Sequence, residues 1–139
     1  MPMLKSAGAQ MILIEDVLRD RGSRYAVSAG PVQGRAGVAA HLADLRRIRK
    51  FAKATHHSWA AILSDGGPLK DDDGEAGAGA LILKMLEREG LRDHIVVVTR
   101  WYGGVHLGGD RFAHIVTSTR AALDALRTAG SACPGCVGE

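Results

Sequence analysis

Apolar and polar positions recur with two different periods along the chain, and they divide it into strands and helices in the order ββαβαβα. Met11 to Leu18 reads as a first strand, with Ile12, Ile14 and Val17 supplying its apolar contacts. Asp20-Arg21-Gly22-Ser23 makes a turn. Arg24 to Ala29 then alternates, with Tyr25, Val27 and Ala29 on one face and Arg24, Ala26 and Ser28 on the other. These two segments form an antiparallel hairpin, stopped by Gly30-Pro31. From Ala36 to Lys53 the period lengthens: Val38, Leu42, Leu45, Ile48 and Ala52 make the apolar stripe of a helix. Thr55 to Leu63 alternates again, with His57, Trp59, Ala61 and Leu63 on one face and His56, Ser58, Ala60 and Ile62 on the other. Ser64 to Gly74 is read as a long, mobile polar loop. Glu75 to Glu89 predicts a helix that buries Ala78, Ile82, Met85 and Leu86 and ends at Gly90.

The stretch from His94 to Ile115 organises the rest. Ile95-Val96-Val97-Val98 is an unbroken β-branched run, the composition of a strand buried on both faces. It leads through Thr99-Arg100-Trp101-Tyr102 into two glycine pairs, Gly103-Gly104 and Gly108-Gly109. Asp110 then suits the N-cap of a last helix whose buried stripe is Phe112, Ile115, Thr119, Leu123 and Leu126. Strand, glycine corner and helix start bring backbone N–H groups, two arginines and two aromatics to one edge. Arg100, Trp101, Tyr102, the four glycines, Asp110 and Arg111 are therefore the candidate surface for a partner or an anion. For Trp101 and Tyr102, closing one end of the core is an equal alternative.

The pattern predicts an α+β fold, a four-stranded mixed sheet with helices packed on at least one face. At 139 residues the chain suits a single domain over residues 1–128, with a flexible tail over 129–139 and a loose start over 1–9. A formal charge of +3 is too small to argue for nucleic acid by itself. Arg46, Arg47, Lys50 and Lys53 do crowd one helix end. They are read either as an RNA- or ribosome-binding face or, preferably, as a solvated face that complements the helix dipole. No apolar run is long enough to span a bilayer, and the first residues do not make a secretory signal, so no membrane partner and a cytoplasmic location are expected. Cys133 and Cys136 form a lone C-x-x-C without a second pair, so no metal or cofactor is expected from them.

Catalytic motifs fail on inspection. Gly104 and Gly109 have the spacing of a phosphate-binding loop, but Asp110-Arg111 stands where lysine and a hydroxyl residue are required. No nucleophile elbow or metalloprotease motif occurs. An enzyme acting on a phosphorylated small molecule at the glycine corner is retained only as an alternative. Asp72-Asp73-Gly74-Glu75 admits Mg²⁺ binding by paired carboxylates, but a capping box between Asp72 and Glu75 is preferred. His56 and His57 point to opposite faces and cannot share one metal; His56 is read as a hydrogen-bonded structural residue.

The run VVVTRWYGGVHLGGDRFAHI, preceded by Thr55-His56 and by Asp72-Asp73-Gly74-Glu75, resembles the IMPACT family, with its bacterial YigZ-type members. The resemblance covers roughly residues 21–126. It implies a fold similar to the second domain of a small-subunit ribosomal protein, with a left-handed β-α-β crossover. It also implies a regulatory binding module in translational control and the stress response. The implied partner is the ribosome-associated scaffold of a starvation-sensing kinase, with actin as a further one. Departures from the family pattern are Ala80-Leu81 where an arginine is usual, His57 for asparagine, Gly109 for proline and Ala113 for lysine. Members of the family carry an additional RWD or ferredoxin-like domain, for which no room is expected within these 139 residues.

Overall fold

The structure, a computed structural model, describes residues 11–131. The expected loose start, Cys133, Cys136 and the tail beyond Ser131 lie outside the described residues. The observed order is β1 (Ile12–Asp20), β2 (Ser23–Pro31), α1 (Gly34–Arg47), α2 (Arg49–Ala52), β3 (His56–Leu63), β4 (Gly67–Asp71), α3 (Ala78–Glu89), β5 (His94–Trp101) and α4 (Asp110–Ser131).

The sheet has five strands, not four, in the order β1-β2-β5-β3-β4. Every neighbouring pair is antiparallel, so the expected mixed sheet is corrected too. β2 and β3 run parallel to each other, but β5 enters between them. Chain order alone does not reveal that insertion. The extra strand, β4, lies inside the segment read as a mobile loop, where Leu63 to Trp59 pair with Gly67 to Asp71. Its sequence, Gly-Pro-Leu-Lys-Asp, is too polar to show an apolar period, and Pro68 suits a strand at the sheet edge.

Local chemistry accounts for the other elements. Arg21 and Gly22 both have positive φ (46° and 87°), the signature of a two-residue hairpin turn whose twist matches its strands. The single helix expected from Ala36 to Lys53 is broken at Ile48, which is extended at φ −79° and ψ 114° and separates α1 from α2. The break turns Phe51 into the core, where it is fully buried.

Helices cover both sheet faces. Alternation on β5 sends Val96 and Val98 to the face packed by α3 and α4, with Tyr25, Ala60, Ile82, Leu86, Ile115 and Leu123. Ile95 and Val97 go to the other face, with Val38, Leu45 and Phe51 from α1 and α2. Each such side chain taken out of water contributes roughly 1.5–3 kcal/mol, which makes β5 the spine of the domain. One expected core residue is displaced. Phe112 is 38% exposed, whereas Leu107 from the glycine corner is buried in the cluster under α3 and α4.

Candidate functional site

The residue that organises the site is Glu75. It does not cap a helix: α3 starts later, at Ala78 after Gly77, and Glu75 lies just ahead of it, 2% exposed. Arg100 leaves β5 on the same face as Val96 and Val98 and donates from Nη1 to both carboxylate oxygens of Glu75, at 3.2 and 2.9 Å. Its Nε and Nη2 reach Ser23 Oγ at 3.4 and 3.3 Å, and its guanidinium stacks over the Tyr25 and Tyr102 rings. From the first turn of α4, Arg111 brings Nη1 to 3.4 Å from Glu75 Oε2. The side chain of His56 completes the ring around the carboxylate, with Nε2 3.6 Å from Oε1. Its Nδ1 faces the Asp73 carbonyl at 2.8 Å, and a carbonyl only accepts, so Nδ1 carries a proton.

These groups line a cleft of ≈ 470 Å³ with Thr55, Gly74, Tyr102, His106, Leu107 and Gly108. Two guanidinium groups face one carboxylate there, which leaves a surplus of positive charge. Arg100 is committed on every side, whereas Arg111 has one weak contact out of five donors among the described residues. The surround is apolar. Tyr102, Val105, Phe112 and Val116 are the exposed large hydrophobics among the described residues, and all fall on the glycine corner or the first turns of α4. Tyr25, beneath Arg100, has its hydroxyl pushed up to about 12 by burial, and that hydroxyl has no hydrogen-bond partner among the described residues.

The corner is held by contacts from distant parts of the chain. Gly103 N–H donates to Ser23 Oγ at 3.1 Å and Tyr102 N–H to Thr55 Oγ1 at 2.9 Å. A Cβ on Gly103 would lie 2.0 Å from the Gly22 carbonyl carbon, so only glycine fits against the hairpin turn. Asp110, expected as an N-cap, instead pairs with Arg21, and His114 Nε2–H donates to Asp20 at 2.7 Å. Arg21 and His114 together hold the Asp20 carboxyl down to about 2.

The carboxylates of the second motif divide their work. Asp72 accepts N–H donors from Gly77 at 3.0 Å and Gly79 at 2.7 Å, so the capping function expected of it is met at other positions, without Glu75. Asp73 accepts from His57 N–H at 2.7 Å. Each carboxylate answers a different donor, and no group of three or more potential ligands that could hold a metal ion occurs among the described residues. His57 is a second hydrogen-bonded histidine, 4% exposed, whose Nε2–H donates to the Phe51 carbonyl at 2.9 Å and whose Nδ1 meets Thr99 Oγ1 at 2.9 Å.

The candidate residues do not all converge. Trp101 points through the opposite sheet face from Arg100. Its indole N–H donates to the Lys50 carbonyl at 3.1 Å, and Arg24 and Lys50 lie 5.2 and 5.6 Å from its ring centroid. It thus belongs with the basic end of α1 and α2, where Arg46, Arg47 and Lys53 are exposed. Trp101 reaches these cations only in the folded sheet, so its place beside them is not visible in the local sequence. Part of that charge is already matched, by Asp44 on Arg47 and Glu15 on Lys50. Ser23, Leu107 and the true role of Glu75 were missed. The partners of Ser23 lie 77 and 80 residues away, a separation no local pattern marks.

The chain is similar to known proteins over the residues that build this cleft. The family model described as the Impact N-terminal domain matches residues 21–123, which run from the hairpin turn into α4 and include every residue of the cleft. A protein IMPACT homolog from Caenorhabditis elegans is 35% identical over 129 residues, covering 88% of this chain and 50% of that protein. The chain thus spans half the length of that relative. A solved structure described as a hypothetical protein shares the fold, with a TM-score of 0.67 at 23% identity over 83% of this chain and 61% of its own. Another, described as the two-domain translational regulator Yih1, is 36% identical over 81% of this chain and 44% of its own, with a TM-score of 0.49. Among the described residues, no helix is long and apolar enough to cross a membrane. The match takes in the corner, the second motif and the strands that join them, and the chain belongs to the IMPACT family.

Proposed function

We propose that this domain is a regulatory binding module of translational control, acting in the cytoplasm through a protein partner that docks on the glycine corner. Family membership supports the biological setting, a ribosome-associated scaffold of a starvation-sensing kinase. The observation that carries the surface assignment is the coincidence of exposed Tyr102, Val105, Phe112 and Val116 with the partly open Arg111. Aromatic anchors beside an arginine, on a frame fixed by packed elements, are what the centres of protein interfaces favour. An enzyme for a phosphorylated small molecule is less well supported, since the buried Glu75 carboxylate lines the same cleft and opposes a phosphate.

A second reading is RNA or ribosome contact through Arg46, Arg47, Lys50 and Lys53. The one observation in its favour is Trp101 beside Lys50. Affinity capture from cell extract, with and without nuclease, separates the two. For the protein-binding reading, capture survives nuclease and is weakened by Arg111→Ala but not by Arg46→Ala. The reverse pattern, with affinity falling steeply as salt rises, assigns function to the basic face.

A further inference from the structure

The cleft selects more than a generic protein surface, and we infer that it receives a carboxylate side chain of the partner, carried next to a large apolar residue. This rests on the protein-binding reading and names the chemistry of the segment that docks. Arg100 is buried and spends its donors on Glu75 and Ser23, so its task is to hold Glu75 in place. Glu75 in turn touches only one nitrogen of Arg111, at 3.4 Å, and leaves the rest of that guanidinium fork facing the cleft beside Gly108. Among these three groups, two guanidinium cations against one carboxylate leave a single positive charge. A monoanion matches it, while a phosphate dianion would leave negative charge unpaired next to Glu75. The planar fork of arginine suits a carboxylate in particular. The N-terminal end of α4, a helix of 22 residues, adds its partial positive charge at the same place.

The apolar half of the proposal comes from Phe112 and Val116. They stand four residues apart on α4 and so share one helix face, and the Arg111 guanidinium lies 4.5 Å from the Phe112 ring centroid. A bound carboxylate on Arg111 therefore has an exposed apolar shelf directly beside it. An RNA backbone would instead need a track of cations along the groove, and the exposed cations of α1 and α2 lie across the sheet.

The test is an amide NMR titration of the full chain with the blocked dipeptides N-acetyl-Leu-Glu-amide and N-acetyl-Leu-Gln-amide, alongside inorganic phosphate and an octauridine RNA. The Leu-Glu peptide is expected to shift the amides of Gly108, Gly109 and Phe112 and to bind at least about fivefold more tightly than Leu-Gln. Arg111→Gln should abolish that preference with the spectrum still dispersed. Phe112→Ala should weaken both peptides and keep the preference between them. Equal binding of the two peptides, shifts confined to other amides, or tighter binding of phosphate or RNA at these amides overturns the inference. The two levels fail separately. If Arg111→Ala weakens partner capture while the peptides bind alike, only the carboxylate assignment falls. If the peptide preference holds while capture ignores Arg111, the carboxylate chemistry stands and the regulatory docking surface lies elsewhere.

Discussion

Glu75 and Arg100, 25 residues apart in sequence, form a buried ion pair whose members are 2% and 5% exposed. The pair joins the segment ahead of α3 to the end of β5 and fixes the floor of the cleft. Buried ion pairs add little net stability over a well-packed apolar pair, but removing one partner leaves an uncompensated charge. Glu75→Ala should therefore cost about 3–5 kcal/mol in urea unfolding. Arg100→Ala should cost a similar amount, and the double substitution less than the sum of the two. Additive losses would mean that the two side chains are held independently.

Gly103 makes a different kind of contact, backbone against backbone. A methyl group there would enter the Gly22 carbonyl at 2.0 Å, and neither chain can yield without giving up the hairpin turn or the Ser23 hydrogen bond. Gly103→Ala is expected to destabilise by about 3 kcal/mol or more. Gly104→Ala meets nothing within 4 Å and suffers only from its positive φ of 94°, so its cost should be clearly smaller. Comparable denaturation midpoints for the two variants would show that the corner does not rest on the hairpin.

How far the fold was legible follows from which interactions are local. The β5 run, the faces of β3, the stripe of α3, that of α1 up to Leu45 and that of α4 beyond Phe112 were readable because period alone decides which side chains are buried there. β4 was not, since an edge strand of Gly, Pro, Lys and Asp carries no period. The site was legible as a set of residues and not as an arrangement. Arg100 and Trp101 are neighbours in sequence, yet strand alternation sends them to opposite faces. Glu75 looked like a cap because its spacing from Asp72 fits one. In the fold it lies ahead of the helix and pairs with Arg100, a partner that no local pattern names.

Acid should weaken the fold through histidine before it does so through carboxylates. His41 on α1 is 4% exposed, meets Ser28 Oγ at 3.2 Å through Nε2, and is pushed down to about 4 by burial. An unfolded histidine titrates near 6.5. Between those values the unfolded chain binds a proton that the folded chain refuses, so stability falls as pH drops. The contribution is whole above about pH 6.5, is lost progressively towards about pH 4, and amounts to something on the order of 3 kcal/mol. His57 acts in the same direction, its pKa lowered by burial. Urea midpoints should decline from pH 7 to pH 4.5, and His41→Gln should flatten the slope. A midpoint that stays constant over that range contradicts the assignment.

Asp72 carries the last prediction. α3 begins after Gly77 with no side-chain cap of its own at that position, and the amides of Gly77 and Gly79 are satisfied by Asp72 from the preceding segment. Those N–H groups, Gly77 first, hold the Asp72 carboxyl below the usual carboxylate range. Asp72→Ala should cost roughly 0.5–2 kcal/mol, the size of a lost cap. Asp72→Asn, which keeps one acceptor oxygen, should cost less. The pH dependence has a definite sign. A lowered folded pKa means that the stabilisation is present above the ordinary carboxylate value and is lost as pH falls through the folded one. Hydrogen exchange supplies a local readout, because the Gly77 and Gly79 amides should lose protection before the rest of α3 in Asp72→Ala. If Asp72→Ala melts like the parent while Asp73→Ala does not, the segment is instead anchored by the bond from His57 N–H to Asp73, and α3 starts without a side-chain cap.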